Sequence, residues 1–362
     1  MTWHEQIQNS IHSIDDFLQV VSLSPEERVR MESILDSAPM LVTPYYLSLI
    51  DFSDENDPIA KIALPSFGEA DRSGSYDTSG EGDNTVVTGL QHKYEETALM
   101  LSTSRCAMYC RHCFRKRLVG IHDKDSVQNM EEVRAYILAH PEIKNVLVSG
   151  GDALMNSNED LRHILDALID IKHLDFIRLA TRTPVTLPQR ITEDGELIEM
   201  LASYNERKQL FVVTQFDHPR EITPESTAAV KAILGLGIPV RNQTVLLKGI
   251  NDDPQVLGAL LSALPSIGVE PYYVFQCRPV SGVKSSFQVP LRKGVEIIEE
   301  ARGMQNGIAK SFRYCMSHVS GKIEIVGNLD GGKMLFKYYE AKDRSQLGQL
   351  FIEDIAQDQA WL

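Results

Sequence analysis

The sequence predicts an α/β fold: a partial (βα)6, TIM-like barrel with a helical N-terminal extension and a further C-terminal segment. Three observations predict it. From Thr97 onward, a short apolar run, a polar turn and a helix-like segment recur in sequence. The apolar runs are dense in Val, Ile and Leu, the pattern of strands covered on both faces. Polar and glycine residues follow the runs directly, so they would share the C-terminal rim of a barrel, where such folds place their active sites.

The elements follow in order. Residues 1 to about 40 read as helical; Ser24-Pro25-Glu26-Glu27 supplies a cap, a first-turn proline and early acids. Thr43–Ile50 is short, apolar and aromatic. Gly68–Asn84 is rich in Gly, Ser and Asp without periodicity, and reads as either an ordered lid or a mobile loop. The predicted strands are Ala98–Ser102, Asn145–Ser149, Phe176–Ala180, Leu210–Gln215, Pro239–Leu246 and Glu270–Phe275. Val127–Ala139, Asn158–Ile171, Pro224–Leu236, Asp253–Leu264 and Gly294–Arg302 read as helices. The division is 1–96 extension, 97–305 barrel and 306–362 C-terminal segment.

Composition narrows the function. The chain has 362 residues, 43% hydrophobic and 24% charged, as in a globular protein. Lys and Arg total 36 against 50 Asp and Glu, a net charge of −14, which argues against a nucleic-acid partner. No apolar run approaches a membrane span and no secretory signal opens the chain. Five cysteines, three of them clustered, do not make a disulfide framework. These features place the protein in the cytoplasm.

The cluster is Cys106, Cys110 and Cys113, a Cys-x3-Cys-x2-Cys spacing on the loop after the first strand. Four-iron clusters are usually held by four thiolates, so three leave one iron open to a ligand. A structural zinc needs four ligands, commonly two separated pairs, and no second pair follows; His112 would be a makeshift fourth. Three core cysteines within eight residues, beside Arg111, Arg115, Lys116 and Arg117, are not an apolar pattern. Those basic neighbours would lower the thiolate pKa values and offset an anionic cluster.

The spacing resembles the radical S-adenosylmethionine (SAM) superfamily. The longer string Tyr109-Cys110-Arg111-His112-Cys113-Phe114-Arg115-Lys116-Arg117 resembles the lysine 2,3-aminomutase family within it, a likeness running from Thr43 to at least Lys322. The resemblance implies an isomerase with a 4Fe-4S cluster, SAM and pyridoxal 5′-phosphate (PLP). A SAM-derived radical takes a hydrogen from carbon 3 of an amino acid, and the α-amino group moves there. It also implies a flavodoxin- or ferredoxin-like electron donor and leaves a homo-oligomer open.

Residue by residue, the resemblance assigns Ser149, Gly150, Gly151 and Asp152 to the SAM amino group, with Arg182 and Gln243 lining the rest of that pocket. A bare Gly-Gly would otherwise be an ordinary tight turn. Lys322, after Ser320-Gly321, matches the lysine that bonds PLP; Gly331-Gly332-Lys333 offers a second candidate. Lys93 and Tyr94 match a segment that contacts PLP, although Lys93 could equally be a surface lysine. Arg115 matches the clamp on the substrate carboxylate, or serves only as a charge partner for the cluster.

One departure bears on substrate. Where the lysine-specific enzymes hold the substrate ammonium with two aspartates, this sequence has Arg278 and Cys315. Like charges juxtaposed cost several kcal/mol. Arg278 therefore argues for an acidic, glutamate-like substrate, unless a protein carboxylate occupies it. Asp252-Asp253 and a tail without cysteine imply that an intersubunit zinc site of some family members is absent. Lysine 2,3-aminomutase itself, a radical SAM lyase or epimerase, and an iron–sulfur redox sensor are the competing readings.

Overall fold

The computed structural model describes residues 1–362. Its spine is one mixed sheet of twelve strands paired in chain order. They are β1 (Thr85–Val87), β2 (Leu90–Tyr94), β3 (Thr97–Thr103), β4 (Asn145–Gly150), β5 (Phe176–Ala180) and β6 (Leu210–Thr214). Then follow β7 (Val240–Leu246), β8 (Glu270–Gln276), β9 (Arg313–His318), β10 (Gly321–Asn328), β11 (Lys333–Ala341) and β12 (Leu350–Asp354). From β3 to β9 every pairing is parallel; both flanks are antiparallel.

Parallel neighbours need crossovers, and helices supply them. These are α1 (Met130–Ala139), α2 (Asn158–Ile169), α3 (Gly195–Arg207), α4 (Pro224–Gly235), α5 (Pro254–Ser266) and α6 (Leu291–Gly303). All but α6 start at a side-chain cap. Ser157 caps α2 by accepting from Asp160 N, and Thr223 and Asp253 cap α4 and α5 ahead of a first-turn proline. Strand burial follows the layering: β4 is nearly buried throughout, as a strand between helices and barrel interior must be.

The strand predictions agree with the structure to within a residue or so, and the details the sequence left open have physical causes. α1 starts at Met130 rather than Val127 because Asn129 caps it, accepting from Glu131 N and Glu132 N. The N-terminal region is not one helical stretch but three helices, Trp3–Gln8, Ile14–Phe17 and Pro25–Ser37, each with its own capping box. Within residues 306–362, β9 to β12 continue the barrel sheet and close their own apolar layer against α5 and α6. Gly68–Asn84 is ordered. The Asp77 carboxylate there accepts from Ser79 N, Glu81 N and Gly82 N at 3.3, 2.8 and 3.0 Å, and Ser75 bridges to Val280. No helix is long and apolar enough to cross a membrane.

Candidate active site

The C-terminal ends of β3 to β8 surround a cavity of about 340 Å³. Of the residues singled out for cluster, SAM, PLP or substrate, all but two line it: the three cysteines, Ser149 to Asp152, Arg182, Gln243, Lys93, Tyr94, Arg115, Arg278 and Lys322. Lys333 does not; it is exposed at the start of β11. Cys315 is wholly buried in β9 and does not line the cavity either.

The cysteine loop is held from behind by the N-terminal extension. Tyr109 N donates to Leu41 O, and Arg111 N to Ile62 O at 2.8 Å. The Arg111 guanidinium, 2% exposed, donates to Glu69 at 2.5 and 2.9 Å and to the carbonyls of Ala38 and Pro39. Lys116 pairs with the same Glu69. Burial pushes the Glu69 carboxyl up, but the two cations outweigh it and hold it below its usual value.

This corrects one expectation. Arg111 and Lys116 share the one Glu69 carboxylate, and burial pushes all three thiols up, Cys110 to about 11, against the pull of Arg182, Arg115 and Lys116. Bound iron would supply the further positive charge that favours thiolates here. Of the three thiols, Cys110 has a direct donor: Arg182 Nη1 lies 2.7 Å from its Sγ.

Arg182 lines the cavity, but its donors are taken. Nη2 donates to Glu221 at 2.6 Å and Nε to Gln215 O at 3.0 Å, with Asp217 3.3 Å away. Tyr46 Oη donates to Glu221, and the Gln215 amide bridges His112 and Asp217. The sequence did not reveal this buried network, because its members are separated by up to 175 positions.

The glycines of the β4 turn also have a specific reason. Gly150 has φ +120°, and a Cβ on Gly151 would sit 2.2 Å from Arg105 O. The backbone approached is the chain's own: Gly151 N donates to Thr103 O at 2.6 Å and Asp152 N to Arg105 O at 2.8 Å. These bonds lock the turn onto the cysteine loop. The buried Asp152 carboxyl, raised by burial, accepts from Arg182 N at 2.7 Å and ties β4 to β5.

Arg115 donates to Glu81 at 2.9 Å and to Ser149 Oγ at 3.0 Å. Glu81 was not foreseen as a site residue; the signal available was the acid opening a short helix after the glycine-rich stretch. Burial pushes its carboxyl up, but Arg115, Arg278 and Arg117 outweigh that and hold it at about 2.

Arg278 has no carboxylate within ion-pair distance. It lies 4.0 Å over the Phe114 ring and donates to Ser79 Oγ at 2.8 Å. Burial pushes it down to about 10, against the pull of Glu81. Lys93 likewise has no carboxylate in contact: it donates to the carbonyls of His318 and Ser79 at 2.5 and 3.2 Å and lies 5.5 Å over the Tyr94 ring; burial and then Arg278 push it down to about 8. Lys322 donates to Glu340 at 2.9 Å and lies 4.5 Å over the Tyr273 ring.

The donor set suits the groups that the sequence implies. No three His, Cys, Asp or Glu side chains converge on a single ion; the thiols of a four-iron cluster bind separate irons, so convergence is not required. The Thr214 hydroxyl lines the cavity, buried without a hydrogen-bond partner. The lining carries six cations, Lys93, Arg115, Arg178, Arg182, Arg278 and Lys322, against the carboxylates of Glu81, Asp152 and Glu340. In a chain of net charge −14, that cavity is built for anionic ligands.

A three-thiol loop opening onto the rim of a partial parallel barrel defines a radical SAM enzyme, and residues 100–257 match the Radical SAM superfamily. The chain is 40% identical over 342 residues to a putative L-lysine 2,3-aminomutase of Aquifex aeolicus, covering 94% of this chain and 91% of that one. It is 40% identical over 308 residues to the L-lysine 2,3-aminomutase of Clostridium subterminale, 84% and 73% of the two chains. It is 39% identical over 306 residues to the glutamate 2,3-aminomutase of Clostridioides difficile, 84% and 71%. The protein belongs to the lysine 2,3-aminomutase family of radical SAM enzymes and is an isomerase of that family. The family's cofactors, a 4Fe-4S cluster, SAM and PLP, are its cofactors.

Proposed function

We propose that this enzyme is a 2,3-aminomutase acting on an amino acid with an acidic, glutamate-like side chain. The observation that carries the reading is Arg278: a half-buried guanidinium lining the cavity with no carboxylate in contact. A partly desolvated charge without a counter-ion is costly, and a ligand carboxylate would relieve it. The names of the relatives give two substrates that differ in side-chain charge, L-lysine and glutamate, and Arg278 favours the acidic one.

When bound, the cluster with SAM supplies a carbon-centred radical, and PLP supplies the carbonyl carbon that carries the migrating nitrogen. The chain's own residues do the rest. Cys106, Cys110 and Cys113 hold the cluster, with Arg182 donating to Cys110. The β4 turn, Ser149 to Asp152, and Gln243 form the SAM side of the cavity. Lys322 is the cofactor lysine, and Lys93 and Tyr94 stand on the phosphate side. Arg115, fixed by Glu81 and Ser149, offers its remaining Nη2 to the substrate α-carboxylate, and Arg278 takes the side-chain carboxylate. Phe114, Val119 and Phe275 line the same space and help exclude water.

We also read residues 1–96, 97–305 and 306–362 as extension, barrel and cofactor-lysine segment, with a low-potential electron donor, in the cytoplasm. The test is anaerobic incubation of cluster-loaded enzyme with reductant, SAM, PLP and L-glutamate. A product of unchanged mass with its amino group on carbon 3 supports the reading. Ammonia release or inversion at carbon 2 would point to a lyase or epimerase.

A further inference from the structure

Lys322 and Glu340 stand opposite each other across the β10–β11 pairing, and the sheet is deformed to bring this about. The register slips between Lys322 and Ile323: Lys322 pairs with Glu340, but Ile323 pairs with Tyr338, so Tyr339 is the extra residue of a bulge. Bulges re-aim side chains, often beside active sites. Gly321 lets the strands close at this point, since a Cβ there would sit 2.3 Å from Glu340 O. The result is an ammonium 2.9 Å from a carboxylate, at the cavity wall, with Lys322 only 14% exposed.

The surroundings single out that carboxylate. Three tyrosine rings face the lysine: Tyr273 at 4.5 Å, Tyr339 at 5.8 Å and Tyr94 at 5.9 Å. Burial first, then neighbouring carboxylates and phenols, raises Tyr94 and Tyr273 far above the usual phenol value, so they stay neutral. Cys315 on β9 is pushed up by burial to about 12 and is a neutral thiol. Glu324, two positions along β10, turns to Arg313 at 3.9 Å. Lys93 and Arg178 are the cations nearby. Glu340 is the anion in hydrogen-bond contact with Lys322.

We propose that Glu340 is the counter-ion of the cofactor lysine: it holds the Lys322 ammonium aside when the lysine is free and keeps its nitrogen protonated when joined to PLP. The inference rests on Lys322 being the cofactor lysine. Proton and atoms balance. The ammonium gives one proton to the Glu340 carboxylate; the neutral amine and the PLP aldehyde form a C=N bond and release one water; the proton then returns from Glu340 to that nitrogen. Displacement by the substrate amine reverses the lysine's steps. Glu340 touches the lysine nitrogen that reacts and holds its proton while the C=N bond forms, so it acts as an acid–base residue for that nitrogen.

The experiment uses cluster-loaded, PLP-loaded full-length enzyme. Borohydride reduction and peptide mass spectrometry identify the labelled lysine, and visible absorbance against pH gives the midpoint at which the C=N nitrogen loses its proton. An adjacent opposite charge shifts such a midpoint by about 1–3 units. The expected result is label on Lys322, a midpoint about one unit or more lower in Glu340→Gln, and recovery toward wild type in Glu340→Asp. Label on Lys322 with an unchanged midpoint in Glu340→Gln overturns the counter-ion role alone. Label on another lysine overturns the role together with the assignment of Lys322.

Discussion

Replacing Arg278 by Gln removes a cation while keeping a polar side chain of similar reach. Its protein contacts are few: Ser79 Oγ at 2.8 Å and the Phe114 face at 4.0 Å. Glu81, the nearest carboxylate in charge terms, keeps Arg115 and Arg117 at 2.9 Å each, so the substitution leaves no buried acid unpaired. The loss should fall on the ligand. Truncating one partner of a buried, hydrogen-bonded charge pair costs about 2–5 kcal/mol. At about 1.4 kcal/mol per factor of ten, kcat/KM for L-glutamate should drop by about 30-fold to several thousand-fold. Arg278→Lys keeps the charge but loses the fork and should fall between. The assay is anaerobic initial-rate formation of the β-amino acid by mass spectrometry, with 5′-deoxyadenosine measured in parallel. Unchanged kcat/KM for glutamate in Arg278→Gln would refute the reasoning.

Three further predictions follow from the site. Cys113→Ala should abolish cluster binding, seen as loss of iron and of the cluster's visible absorbance after anaerobic reconstitution; full iron content would contradict the three-thiol assignment. Glu69→Gln strands Arg111 and Lys116 in the interior, and breaking a buried pair costs about 3–5 kcal/mol. Urea unfolding at neutral pH should show a loss of that order, whereas Arg28→Ala, at an exposed pair, should cost under about 1 kcal/mol. Lys93 stands near 8, pushed down by burial and Arg278, and only its ammonium attracts phosphate. PLP affinity should therefore weaken as pH rises through about 8, and Lys93→Arg, which stays charged, should flatten that dependence in equilibrium dialysis.

The barrel was legible because its signals are local. The runs at β3 to β8 and the caps at Ser157, Thr223 and Asp253 are each written within a few residues. The rim positions followed from the strand ends alone, and the cavity contains them. The site's electrostatics were not legible. Arg111 and Arg115 read as neighbours of a cluster, but Glu69 and Glu81, 42 and 34 positions away, claim them. Glu340 was invisible for a different reason: a one-residue bulge at Tyr339 decides whether it faces Lys322, and bulges leave little trace in composition. The C-terminal strands were missed because sheet continuation from β8 to β9 is a long-range pairing across α6.

The measurement that tests the central claim most directly is a competition. Cluster-loaded enzyme, SAM, PLP and reductant are given L-glutamate and L-lysine at equal concentration in one anaerobic vessel, and both β-amino acids are quantified. The account predicts β-glutamate in large excess, with that excess lost in Arg278→Gln. β-Lysine as the dominant product would contradict it and leave Arg278 facing some other anion of the cavity.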